Sequence, residues 1–244
     1  MPKGLNINDI VTKAKLTLSP SQNFTLSQLE NSVKRGDVKE QQIVQDERIA
    51  TFWKDSARQF IPYAYYLSES AELDNSEKKL TFAARLILDS MRAEENPMLK
   101  GWEADRAVEL FEKAIVLNPE SDDLKIGLGS CYVYGKGMTG DAAETMKGIQ
   151  QLLQVVRKDS NNMRAQMVLG VGGVVSRQYD KAIERLNKVV AFDNKNLEAI
   201  SWLADAYAGK GDKQNATKWY EYSKALVNNP EFSKEVNERI KELQ

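Results

Sequence analysis

The side chains best suited to chemistry are few, and each has a plain structural alternative. Cys131 is the single cysteine, and its thiolate could act as a nucleophile if a base stood beside it. The chain has no histidine. That removes the commonest general base and the commonest transition-metal ligand, with every Ser/His or Cys/His arrangement. Beside Leu128 and Tyr132, Cys131 reads as a buried thiol. One cysteine builds neither an intrachain disulfide nor a thiolate zinc site. Carboxylates can catalyse without histidine, and Glu69/Glu72/Asp74 and Asp122/Asp123 are the candidate sets. Both fall at expected helix ends, where capping and the helix dipole account for them.

Glycine-rich and oxygen-rich stretches offer ligand chemistry on paper. Gly127-Leu128-Gly129 and Gly170-Val171-Gly172-Gly173 could cradle phosphate, but no strand precedes them and no Gly-Lys-Ser/Thr follows. They read instead as close helix crossings. Gly135-Lys136-Gly137 lacks a phosphate-loop pattern and reads as a turn. Asp193-Asn194-Lys195-Asn196 lacks the glycine and bidentate glutamate of a calcium loop and reads as an inter-helix turn. No metal, no cofactor and no catalytic residue is expected.

Composition narrows the classes further. The 244 residues are 42% hydrophobic and 28% charged with a net charge of −1, enough to bury a sizeable core as a solenoid with caps. A balanced charge supplies no footprint for nucleic acid or an acidic membrane. No stretch reaches the roughly 18 consecutive apolar residues that cross a bilayer, and no apolar signal core opens the chain. Met1-Pro2-Lys3-Gly4 begins abruptly, as if an upstream leader had been trimmed, so the compartment stays open between cytoplasm and periplasm.

What must position any functional residue is a repeat. Ala182 and Ala216 stand 34 residues apart, and Leu169/Leu203, Leu186/Tyr220 and Val189/Ser223 keep that spacing. Leu169-Gly170 and Leu203-Ala204 place a small residue after a leucine in the first helix, with Tyr207 four further on. Gly170 and Ala204 are small where two antiparallel helices cross, and Ala182 and Ala216 fill the matching positions on the facing helices. Gly211-Asp212 ends one helix and caps the next. A fixed period of this length marks a solenoid.

These positions resemble the tetratricopeptide repeat (TPR) family. The resemblance implies an all-α, right-handed superhelical solenoid of antiparallel helix pairs, about five pairs plus capping helices. Residues 1–37 form an N-terminal arm or capping helix, 38–230 the repeat domain, and 231–244 a C-terminal capping helix; the clearest repeats are 97–119, 121–162, 163–196 and 197–230.

In chain order, Leu5 to Thr17 reads equally as a short helix or an extended arm. Ser19-Pro20 starts a helix that Arg35-Gly36-Asp37 breaks. Apolar spacing gives further helices over Val38 to Arg58, Tyr63 to Leu73 with Pro62 at its boundary, and Ser76 to Glu94. Ala107, Phe111, Ala114 and Pro119 reproduce the second helix of a repeat, which leaves Glu95 to Glu103 as an inserted loop. Leu128 precedes Leu169 by 41 rather than 34 residues, an insertion in the Gly135 to Met146 turn. Phe232, Val236, Ile240 and Leu243 give the last helix one apolar side.

Function in such arrays lies on the concave face lined by the first helix of each pair. By resemblance, the exposed groove positions are Asp123, Ile126, Ser130, Val133 and Tyr134, then Arg164, Met167, Val171 and Val174, then Glu198, Ser201 and Asp205. The lysines and asparagines with which some TPR proteins hold chaperone C-termini are missing at the matching sites. An apolar groove suits an extended or helical peptide, with Met as adaptable packing and Tyr as an anchor.

The leading expectation is a non-enzymatic scaffold that binds a protein or peptide segment, or else covers Met167, Val171 and Val174 with its own cap or loop. Alternatives are a self-associating assembly factor of the bacterial cell envelope and a carboxylate-based enzyme; the Asn75 to Ala84 and Trp102 to Pro119 blocks resemble TPR proteins of bacterial envelopes. An RNA-binding array is disfavoured, because the groove positions form no basic stripe.

Overall fold

The computed structural model describes residues 6–32, 38–137, 142–227 and 229–243. Among them every regular element is helical, as the repeat pattern requires. Two compact units divide between Leu128 and Gly129, and no helix among the described residues is long and apolar enough to cross a membrane.

The first unit opens on α1 (Ile7–Leu16) and α2 (Pro20–Asn31). The first is a helix rather than an arm, because Asn6 caps it by accepting from the Asn8 amide at 3.1 Å. Ser19 and Gln22 form a reciprocal capping box with Pro20 in the first turn. Arg35-Gly36-Asp37 lies outside the described residues. Next come α3 (Val38–Thr51), running straight into a π-helical turn (Phe52–Ser56), and α4 (Phe60–Asp74). Pro62 sits inside the first turn of α4 rather than before it, a place where its missing N–H leaves no helical bond unmade. Helices α1 and α2 lie on this pair, and Leu26, Ile49, Phe52 and Trp53 fill the space between.

Helices α5 (Glu77–Ala93) and α6 (Pro97–Leu117) form the second pair. Leu80, Ala83, Ala84 and Ile87 face Ala104, Ala107, Leu110, Phe111 and Ala114, all fully buried. The expected Glu95 to Glu103 loop is absent. Asn96 accepts from the Met98 and Leu99 amides, Pro97 takes the first helical position, and the helix runs on through Gly101. Helix α7 (Asp122–Ser130) begins here and crosses the boundary between the units.

The second unit contains a π-helical turn (Cys131–Lys136), α8 (Ala142–Lys158), α9 (Met163–Val175), α10 (Tyr179–Phe192), α11 (Leu197–Lys210), α12 (Lys213–Leu226) and α13 (Pro230–Glu242). The inserted residues are therefore partly helical: Gly135 and Lys136 complete the π turn rather than a loose connection, and 138–141 lie outside the described residues. Helix α9 pairs with α10 and α11 with α12. The close approach is real but its partners differ from the expected ones: Gly170 lies against Leu186, and Ala182 lies against Gly173. Gly211 ends α11 in the left-handed region at φ 87°, and Asp212 caps α12 through the Asn215 amide. The apolar side of α13, with Val236 at its centre, closes over Ala216 and Tyr220, as a terminal cap should.

Candidate functional site

The residues with catalytic potential are structurally committed. Cys131 is fully buried, and burial pushes its thiol far above the ordinary range, which leaves no thiolate at neutral pH. Glu69 and Glu72 on α4 are not helix-end caps as expected, but partners of α6. Arg106 donates to Glu69 at 2.7 Å, Glu72 at 3.1 Å and Glu109 at 2.8 Å, and Lys113 pairs with Glu72 and Glu109. Burial, then the neighbouring Glu72 and Glu109 charges, raise the Glu69 carboxyl above its usual range. Asp74 pairs with Lys79, and Asp123 with Arg85. This is an ion network that ties α4 to α6. Among the described residues no group of three His, Cys, Asp or Glu side chains could hold a metal ion.

The groove positions divide sharply. Ile126, Ser130, Val133 and Tyr134 are buried, Val171 is 0% exposed and Met167 8%. These belong to the packing of their units rather than to an open surface, contrary to expectation. Asp123 and Arg164 are exposed, and Val174, Glu198, Ser201 and Asp205 are half-buried.

Three polar bonds engage groove positions in the second unit. Tyr134, in the π-helical turn, donates its hydroxyl to the Glu198 carboxylate at 3.0 Å. Asp205 accepts from the Tyr220 phenol on α12 and from Arg239 of α13 at 2.8 Å, so the cap occupies its carboxylate. Arg239 is not among the expected residues. Its place on the polar side of an amphipathic helix gives only a weak signal.

On the second helices, Trp219 and Tyr222 stack edge to face at 5.8 Å beside Val190, and line a depression of about 450 Å³. The Tyr222 hydroxyl donates to the Asn194 carbonyl at 3.1 Å. Nothing in the repeat pattern marks this place, because the pattern records only buried positions.

No family model and no curated protein matches the chain. Solved structures do. A fragment of MamA from Desulfovibrio magneticus RS-1 is 19% identical, with 79% of this chain and 97% of that one covered and a TM-score of 0.55. TTC0263, a thermophilic TPR protein of Thermus thermophilus, is 14% identical, covers 82% and 98%, and gives 0.56. YrrB, described as a TPR protein with an unusual peptide-binding site, is 16% identical, covers 88% and 97%, and gives 0.52. At these identities the likeness is one of fold, and the fold is that of the TPR proteins.

Proposed function

We propose that this chain is a non-enzymatic protein-interaction scaffold, and that the first-helix face of its second unit binds a peptide or protein segment. The carrying observation is the packing of α9 against α11, which sets exposed Arg164 and half-buried Val174, Glu198 and Ser201 on neighbouring first helices. A charged rim beside an apolar helix suits an extended segment with alternating side chains. The likeness in fold to a TPR protein with a peptide-binding site supports this reading. So does the engagement of the candidate nucleophile and acids in packing and ion pairs.

The test is affinity capture from a cell extract with the wild-type chain and with Arg164→Glu plus Val174→Glu. Changing Met167 and Val171 would break the packing and answer a different question. Both proteins are first checked for equal helicity by circular dichroism. A partner held by the wild type and lost by the variant is the expected result. Equal capture by both overturns the assignment to this face.

A further inference from the structure

Helix α9 departs from the pattern of the array. The nine residues Ala165–Gly173 are all buried. One period later, α11 keeps Glu198, Ser201, Trp202 and Asp205 partly open. The first helix of a repeat in an open array leaves a stripe to solvent, so α9 has been covered. It packs against the π-helical turn and against α11, and the Tyr134–Glu198 bond joins those two neighbours across 64 residues of sequence. The bond thus ties together two neighbours of α9. The wider i→i+5 spacing of a π turn changes the directions of the side chains it carries, and Tyr134 is one of them.

We propose that the Tyr134–Glu198 bond is an internal latch, which closes the first-helix face over α9 so that a partner segment reaches Met167 only when it breaks. The proposal rests on the scaffold reading of the same face. A phenol donating to a carboxylate suits this role. The bond is strong enough to hold a closed state yet weak enough for a ligand to displace. Met167, at 8% exposure, is the apolar side chain nearest to being reached when the latch opens.

The experiment reads Met167 directly. The full chain is treated with dilute hydrogen peroxide, and oxidation of each methionine is followed by mass spectrometry in the wild type, Tyr134→Phe, Glu198→Ala and the double variant. Opening should raise the Met167 rate about tenfold in either single variant, the effect of losing one charge-assisted hydrogen bond. The double variant should rise by less than the product of the two single effects, because the two changes share one bond. Met98, already 55% exposed, should not change.

A Met167 rate within twofold of wild type in Tyr134→Phe overturns the latch, and so does a rise accompanied by loss of helicity in circular dichroism. Partner capture should increase in Tyr134→Phe; unchanged or weaker capture overturns the gating role. The oxidation assay contains no partner, so its failure is separate from that of the scaffold reading. That reading falls if capture survives Arg164→Glu plus Val174→Glu.

Discussion

Gly170 lies so close to Leu186 that a Cβ built on it would stand 2.6 Å from the Leu186 Cγ. The leucine is fully buried and held between α9 and α10, so it has little room to retreat. Gly170→Ala gains about 1 kcal/mol of helix propensity but overpacks the crossing by about 2–3 kcal/mol, for a net loss of about 1–2 kcal/mol. Gly101, inside α6, has nothing within 4 Å of an added Cβ. Gly101→Ala should therefore stabilise by about 0.5–1 kcal/mol. Urea denaturation of the two variants should show midpoints moving in opposite directions, and a neutral Gly170→Ala would contradict the tight crossing.

Arg106 holds three carboxylates and the Ser68 hydroxyl with one guanidinium. Arg106→Ala leaves Glu69, Glu72 and Glu109 facing one another with Lys113 alone to balance them. Since two of those acids are well exposed, the cost is about 1–3 kcal/mol rather than that of a dry ion pair. Arg106→Lys should recover only part, because an ammonium cannot span the same four acceptors. Thermal unfolding at neutral and acid pH checks this. The loss should shrink as the carboxyls take up protons, with Glu69 among the first because its carboxyl is raised.

The helix pairs are legible because packing writes itself into sequence at fixed spacing. Gly170, Ala182, Leu186 and their partners one period later are buried in the same crossings they mark. Caps are legible for the same local reason, as at Ser19-Pro20 and Gly211-Asp212. The start of α6 escapes the sequence reading although Asn96-Pro97 is a good helix opening, because the repeat pattern is recognised only from Ala107 onward and leaves the residues before it as a remainder. The π turns are not legible, since no residue type marks a change from i→i+4 to i→i+5 bonding. Assigning groove positions from the repeat alone takes buried residues for exposed ones. After Arg164, α9 carries no charged residue at all, and a helix apolar all round is buried all round. The Arg106 network joins residues 34 to 41 apart across two helices, a pairing that sequence spacing cannot single out.

Glu103 gives the α5–α6 pair a pH dependence. It is 0% exposed, accepts from Ser90 at 2.7 Å and leaves its second carboxyl oxygen without a partner. Burial, with a smaller push from Glu94, raises its carboxyl from 4.5 to about 7, against the opposing Ser90 bond and Lys100 charge. The folded chain therefore holds a proton that the unfolded chain has lost between those values. Stability falls as pH rises through this window and levels off above 7, by up to about 3 kcal/mol. Asp46, raised to about 6 chiefly by burial, acts in the same direction at lower pH. Glu103→Gln should flatten the profile between pH 5 and 7 and stabilise the chain at pH 8. A urea midpoint that rises with pH in the wild type over that range, and equally in the variant, would exclude this role.

Asp205 is expected from the repeat to face a ligand, and its bonds instead make it the joint between α11, α12 and the terminal helix α13. The Tyr220 phenol is buried, and burial followed by the Asp205 carboxylate raises it above its usual range. Asp205→Ala removes the acceptor from a buried hydroxyl and the counter-charge from Arg239, a loss of about 1–3 kcal/mol. Arg239→Ala should cost less, about 1 kcal/mol or below, because that side chain is half open to water. Tyr220→Phe in the Asp205→Ala background should add little, since the shared bond is already gone. Urea denaturation supplies the cycle, and ultraviolet titration of the tyrosines supplies an independent reading: without Asp205 the Tyr220 phenol should ionise at lower pH. If Asp205→Ala leaves stability and titration unchanged while abolishing partner capture, Asp205 is a ligand contact after all and the cap does not depend on it.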